Sequence, residues 1–402
     1  MADNQHIHYD IRSGSSPVIA IDDDDHRALA PGRPGLDPGT ALCLSGGGYR
    51  AMLFHLGALW RLNELGQLAT LRRVSSVSGG SITAGMLGLA WPHLAFDSAT
   101  GVARAFVERV VAPIRDLASH TIDIWSVLAG LMPGTSASER IAAHYRDTLY
   151  GNATLDELPT ADDCPRFIIN AANVQSGALW RFTSRYAADW RVGMYVRPER
   201  IALATAVAAS SAFPPVLSPT VLELDPGDYR TVAGNTLVGD DYRRRVVLSD
   251  GGVYDNLGLE TAYKRCETIL VSDAGAMLDV ETRPHRDWPR HAFRTLELIQ
   301  NQVVSLRKRQ LIDAYDAKQR RGAYWGIRSD LASFELKCPG LVTMPFDHDT
   351  AQDLAATATR LATLDAARQD GLVNWGYVVC DAAMRAHVVP AARGVPPARM
   401  PY

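Results

Sequence analysis

The residues with chemical potential fall in three turns. Ser45-Gly46-Gly47-Gly48-Tyr49-Arg50 follows the apolar run Ala41, Leu42, Cys43, Leu44 and precedes Leu53, Leu56, Leu59 and Trp60, which share one helical face. Successive glycines permit positive φ and let backbone N–H groups approach a ligand closely. At the positive end of a helix dipole those groups suit a developing negative charge. The next strand-to-helix turn, Ser76-Val77-Ser78-Gly79-Gly80, approximates the G-x-S-x-G nucleophile elbow, with serine in place of the first glycine. Ser78 stands at the nucleophile position. A serine there needs a base for its proton and donors for the oxyanion it creates. Asp250, in Ser249-Asp250-Gly251-Gly252, is the candidate base.

A free aspartate, with a pKa of about 3.9, is a weak base at neutral pH, so Asp250 has to be held against the Ser78 hydroxyl. Asp273, in Val271-Ser272-Asp273-Ala274-Gly275, and Asp255, in the same loop as Asp250, are rivals. Each Asp-Gly or Asp-Ala pair is equally an ordinary turn. A Ser-His-Asp triad has eleven histidines to draw on. None lies in a glycine-rich or strand-end turn, and His55 reads as a satisfied core histidine. A nucleotide cradle is the other use of a glycine loop. No Gly-Lys-Ser/Thr ends this one, and Glu64 comes too early for the acidic residue of a dinucleotide fingerprint. No Cys/His cluster has zinc spacing, and Asp22, Asp23, Asp24 and Asp25 lack the spacing of a calcium loop. Neither metal nor cofactor is expected.

Taken in order, Ser45-Gly46-Gly47-Gly48-Tyr49-Arg50, Val77-Ser78-Gly79-Gly80-Ser81 and Ser249-Asp250-Gly251-Gly252 resemble the patatin-like phospholipase family. That family carries a glycine-rich oxyanion loop, a serine elbow and an Asp-Gly-Ala/Gly motif. The resemblance spans roughly residues 40–275. It implies an α/β fold with a three-layer α/β/α patatin-like core. It also implies a Ser78–Asp250 dyad and oxyanion donors among Gly46, Gly47 and Gly48. Arg50 would brace the loop or meet a lipid phosphate. The implied activity is a phospholipase A-type acyl hydrolase that cleaves glycerolipid esters through an acyl-serine. Its partners would be a phospholipid or other glycerolipid ester, a peripheral membrane surface and, as in some bacterial relatives, an activating ligand or protein. An acyltransferase using the same acyl-enzyme and a catalytically silent lipid- or protein-binding module are the alternatives.

Around these turns the sequence reads as strand, glycine turn, helix, strand, serine turn, helix, the grammar of an α/β protein. Residues 1–39, rich in Pro and Gly, read as an extended arm in which 18–21 adds an edge strand. Residues 102–112 look helical up to Pro113. The apolar segment 123–132 reads as a buried helix or as a cap over acyl chains. Ser138 opens an N-capped amphipathic helix, 166–173 and 179–182 suggest a hairpin, and 201–211 is a helix stopped by Phe213-Pro214-Pro215. Residues 245–249 and 268–272 are strands that deliver Asp250 and Asp273. Leu296, Ile299, Val303 and Leu306 mark a long helix over 293–320, and 354–367 and 378–387 are two more. The organisation expected is an arm (1–39), a catalytic domain (40–275) and a helical C-terminal extension packed on it (276–402).

With 402 residues, 47% hydrophobic and 21% charged, the chain has ample material for a core. A net charge of −3 gives no basic field, which argues against a nucleic-acid partner. Five cysteines without a pattern fit a reducing compartment. No stretch reaches the roughly 18 consecutive apolar residues of a membrane-spanning helix, and residues 1–9 lack a signal core. The chain is expected in the cytoplasm, peripheral at most to membranes.

Overall fold

The computed structural model describes residues 36–122, 136–232, 234–278, 280–394, 396–397 and 399–402. The aspartates 22–25, the edge strand at 18–21 and the apolar segment 123–132 lie outside the described residues. Strand β1 (Asp37–Leu44) sets the layering by simple alternation. Leu42 and Leu44 enter one core, and Ala41 and Cys43 enter another on the opposite face. A sheet buried on both faces needs helices on both, which gives the three-layer α/β/α arrangement.

β1 turns through the glycines into α1 (Gly48–Glu64); β2 (Leu71–Ser76) turns through Ser78 into α2 (Gly79–Ala90). The next helix begins with a π turn at Val107–Val111 and runs on as α3 (Ala112–Ala118). Pro113 does not stop it, because the wide π turn puts the proline in the first turn of a new α segment, where its missing N–H is not needed. α4 (Ala137–Tyr145) is capped by Ser136, not Ser138, with Glu139 completing a capping box; the Ser138 hydroxyl bonds Thr220 instead.

β3 (Arg166–Asn173) and β4 (Ala178–Phe182) form the hairpin, which β5 (Ala187–Asp189) and β6 (Gly193–Tyr195) extend. After α5 (Leu203–Ser210) come β7 (Thr220–Glu223), β8 (Tyr229–Arg230), β9 (Arg245–Asp250) and β10 (Cys266–Asp273). Then follow α6 (Trp288–Asp316), β11 (Arg321–Gly326), α7 (Leu331–Lys337), α8 (His348–Ala355) and α9 (Ala366–His387).

Among the described residues eleven strands make one mixed sheet, ordered β11-β10-β1-β2-β3-β4-β5-β6-β8, with β9 pairing β3 and β7. β11, β10, β1, β2 and β3 run parallel, so the turns after β1, β2, β10 and β11 gather at one end. β11 belongs to this sheet, so a division at residue 275 cuts through one sheet. On one face α9 crosses α1 closely. A Cβ at Gly57 would lie 1.9 Å from the Val373 carbonyl oxygen, and one at Gly376 1.9 Å from that of Phe54. The buried Asp381 carboxylate joins the pair, accepting from Arg61 at 2.8 Å and from Arg385 at 3.0 Å. On the other face lies α6, with Leu311 and Ala314 its buried residues.

Residues 356–365, expected as helix, are not helical. Their carbonyls have other partners: Arg360 accepts from the Tyr49 N–H (3.0 Å), Thr357 from the Arg50 side chain (2.6 Å), and Leu361 from the Ile122 N–H (3.1 Å).

Candidate active site

Two strands meeting end to end bring Ser78 and Asp250 together. β2 runs parallel to β3 and ends with Ser76 opposite Ile169. β9 runs antiparallel along β3 and ends with Asp250 opposite Ala171. Asn170 lies between them, and its Nδ2 donates to the Ser76 carbonyl at 2.9 Å and to Ser75 Oγ at 3.0 Å.

The turn after β2 is tight. Ser78 has φ 52 and ψ −122, a backbone conformation that costs a non-glycine residue about 1–3 kcal/mol. Packing holds it there. Ser78 N–H donates to Ser210 Oγ at 3.0 Å, and Ser210 Oγ donates to the Asn170 carbonyl at 2.6 Å. A Cβ at Gly79 would lie 2.2 Å from the Gly48 carbonyl oxygen, and at Gly80 2.4 Å from that of Leu44, so the turn needs its glycines. Ser210, at the end of α5, lies in the Ala-Ser-Ser-Ala-Phe-Pro-Pro segment read as a helix and its stop. Asn170 and Ser210 gave no separate signal, because their roles arise from pairings distant in sequence.

Asp250 is 2% exposed, lines the same cavity as Ser78, and accepts from the Gly252 N–H at 2.7 Å. Burial pushes its carboxyl up to about 7, although the Gly252 N–H and the Ser78 hydroxyl nearby pull the other way. Asp273 is also buried, which raises its carboxyl. Lys308 (2.8 Å) and the Tyr324 hydroxyl (2.7 Å) outweigh that and hold it below the ordinary range. Asp255 accepts from the N–H groups of Leu257 and Glu260 and faces Arg307 at 3.5 Å, an anchor for its loop. His55 bridges Ser272 Oγ (2.8 Å) and the Ser45 carbonyl (2.9 Å), with burial pushing it down to about 4, so it stays neutral.

The three glycines divide. Gly46 N–H donates to the Asn256 carbonyl at 3.0 Å and is therefore occupied. Gly47 (φ 149) and Gly48 (φ 62) occupy the region glycine favours, and among the described residues their N–H groups make no hydrogen bond. Arg50 donates to the carbonyls of Thr357 (2.6 Å) and Ala274 (2.9 Å), bracing the loop against its neighbours.

Ser78, Asp250 and Gly47 open on a cavity of about 580 Å³. Phe213, Met277 and Phe293 give it apolar wall; Gln300, Asn301 and Arg328 give it polar wall. Gln300 also donates to the Gly252 carbonyl at 3.0 Å, fixing the loop behind Asp250. The polar wall comes mostly from α6, where periodicity indicated a helix over 293–320 but no chemistry, and from the turn after β11, which had no reading of its own.

The serine turn and the buried carboxylate meet at one end of the mixed sheet. The family model described as patatin-like phospholipase matches residues 42–263, more than half of the chain, and the chain belongs to that family. Among solved structures, human GIVD cytosolic phospholipase A2 aligns with 14% identity over 89% of this chain and 59% of its own, at a TM-score of 0.44. Its complex with methyl gamma-linolenyl fluorophosphonate aligns with 17% identity over 85% and 57%, at a TM-score of 0.47. VipD from Legionella pneumophila aligns with 14% identity over 87% and 66%, at a TM-score of 0.31. The chain thus spans about 59% of the length of the first of these structures. No curated protein sequence matches it.

Proposed function

We propose that this chain is a phospholipase A-type acyl hydrolase working through Ser78 and Asp250. Ser78 Oγ attacks the ester carbonyl carbon and its proton passes to Asp250. The N–H groups of Gly47 and Gly48 receive the oxyanion. As the tetrahedral species collapses, the C–O bond breaks and Asp250 returns the proton to the leaving alkoxide, releasing the lysolipid. Water then attacks the acyl-serine, Asp250 takes its proton, and the fatty acid leaves as the proton returns to Ser78 Oγ. The observation that carries this reading is the juxtaposition of a strained, turn-borne serine and a buried carboxylate at the ends of two opposed strands, both lining one cavity. A base with a pKa near 7 suits neutral pH.

Substrate reaches the site from a lipid surface. Met277 lines the cavity and is 59% exposed, Trp288 at the start of α6 is 82% exposed, and Leu298 and Ile299 are also exposed. Tryptophan beside aliphatics suits a membrane interface. No helix among the described residues is long and apolar enough to cross a membrane. All five cysteines are free, which supports a reducing compartment.

The test is labelling by a fluorophosphonate together with turnover of a short-chain chromogenic ester. Ser78→Ala should lose labelling and at least 99% of turnover while its melting temperature stays close to wild type. Turnover persisting above a few per cent would remove Ser78 from the mechanism.

A further inference from the structure

Asn256 lines the cavity beside Ser78, and its side-chain amide has no hydrogen-bond partner among the described residues. Three glycines make room for that amide. A Cβ at Gly46 would lie 2.4 Å from Asn256 Oδ1, one at Gly252 2.5 Å from the same oxygen, and one at Gly275 3.1 Å from Nδ2. These glycines belong to the turns after β1, β9 and β10, so a single amide packs against all three. It also stands beside both reacting residues. The Cβ position at Gly46 is 3.1 Å from Ser78 Cβ, and that at Gly252 is 2.9 Å from Asp250 Oδ1.

The backbone carrying Asn256 is fixed. Its carbonyl accepts from the Gly46 N–H at 3.0 Å, and the Asp255 carbonyl before it accepts from the Gly258 N–H at 3.1 Å. The Asp255 carboxylate holds the N–H groups of Leu257 at 3.2 Å and Glu260 at 2.7 Å. A rigidly carried amide with no partner of its own, open to a cavity, is placed for something that enters the cavity. An amide oxygen repels an oxyanion and attracts a donor. The hydrolase reaction brings a donor with two hydrogens to this place, the water that attacks the acyl-serine. One hydrogen has to face Asp250, and the other needs an acceptor.

We infer that Asn256 Oδ1 holds the water that hydrolyses the acyl-serine. The inference rests on the hydrolase reading above and adds a catalytic residue to its second half. The water donates one hydrogen to Asn256 Oδ1 and the other to Asp250, which leaves an oxygen lone pair free for the acyl carbon. As the new C–O bond forms, the O–H bond facing Asp250 breaks and its proton passes to the carboxylate. The other hydrogen stays on the carboxyl group being made. When the bond between the acyl carbon and Ser78 Oγ breaks, Oγ takes the proton back from Asp250. Fixing the water beforehand removes part of the orientational cost of the attack. Acylation has no use for this contact, because there the proton comes from Ser78 itself.

The experiment separates the two halves of the reaction in the full chain. In stopped flow with p-nitrophenyl butyrate, the initial burst of nitrophenolate reports acylation and the steady phase reports deacylation. Asn256→Leu removes the polar atoms while nearly keeping the shape of the side chain. Its burst rate and its labelling by a fluorophosphonate should stay within about twofold of wild type, while the steady rate falls roughly tenfold or more. The acyl group should then accumulate on Ser78, where mass spectrometry of the quenched protein finds it. Asn256→Ala takes its place if circular dichroism shows Asn256→Leu misfolded. An unchanged steady rate overturns the inference. Burst and steady phases falling together in a folded variant overturn it too, by making Asn256 a support for the glycine loop. A wild-type chain that neither labels nor releases nitrophenolate removes the hydrolase, and the inference with it; a wild type that does both leaves the hydrolase standing whatever Asn256 does.

Discussion

Asp250 meets two demands that pull against each other. As the proposed base it has to ionise, yet the fold encloses it. Its folded pKa of about 7 against an ordinary 3.8 means that between those values the folded chain keeps a proton the unfolded chain has released. Stability conferred by the protonated carboxyl is full below 3.8 and falls as pH rises through 7, by up to about 4 kcal/mol for three units. Asp250→Asn should therefore unfold at higher urea than wild type at pH 8, the gap closing as pH is lowered toward 4. In the wild type, kcat/KM should rise through pH 7 and level off above it. Wild type and Asp250→Asn unfolding alike at pH 8 would mean that Asp250 is not held above its ordinary range. Ser78 and Asp250 were both legible in the sequence because each turn is local, a strand running into glycines. Which glycine N–H stays unbonded was not. The partner that occupies Gly46, Asn256, comes from a loop far along the chain.

Elements were legible where one period dominates. α1 and α6 carry apolar residues at helical spacing, and β1 alternates between two cores. α9 was expected only over 378–387, its second half, although it runs from Ala366 through Gly371 and Gly376. The contact with α1 explains Gly376: the crossing admits no side chain there. Gly376→Ala should cost about 3 kcal/mol or more by overpacking, read as a lower midpoint in urea. Gly394→Ala, with nothing within 4 Å, serves as the neutral comparison. Equal midpoints for the two would mean that the helices yield at the crossing. β11 escaped notice because Arg321-Gly322-Ala323-Tyr324-Trp325-Gly326 is short and bounded by glycines. Its strand character comes from pairing with β10.

At the scale of the molecule, the segment beyond the family match completes the sheet, walls the cavity and presents an apolar rim to solvent. The sequence showed this segment as helix but not its reach, since what α6 faces depends on where β10 and β11 put it. If the rim meets membranes, Trp288→Ser with Leu298→Ser should weaken co-sedimentation with phospholipid vesicles at least fivefold. Both side chains are exposed, so melting should shift by no more than about 1 °C. Unchanged co-sedimentation would take the rim out of membrane contact.

The brace on the glycine loop has a consequence in time. Arg50 and the Thr357 carbonyl that holds it are 307 residues apart, and the Arg360 carbonyl secures Tyr49 over a similar distance. A ribosome makes the glycines and Ser78 early and these carbonyls late. Between those two points the growing chain carries Ser78 without the loop support seen in the folded chain. On the hydrolase reading proposed above, the glycine loop can take its braced form only once residues 357 and 360 have been made.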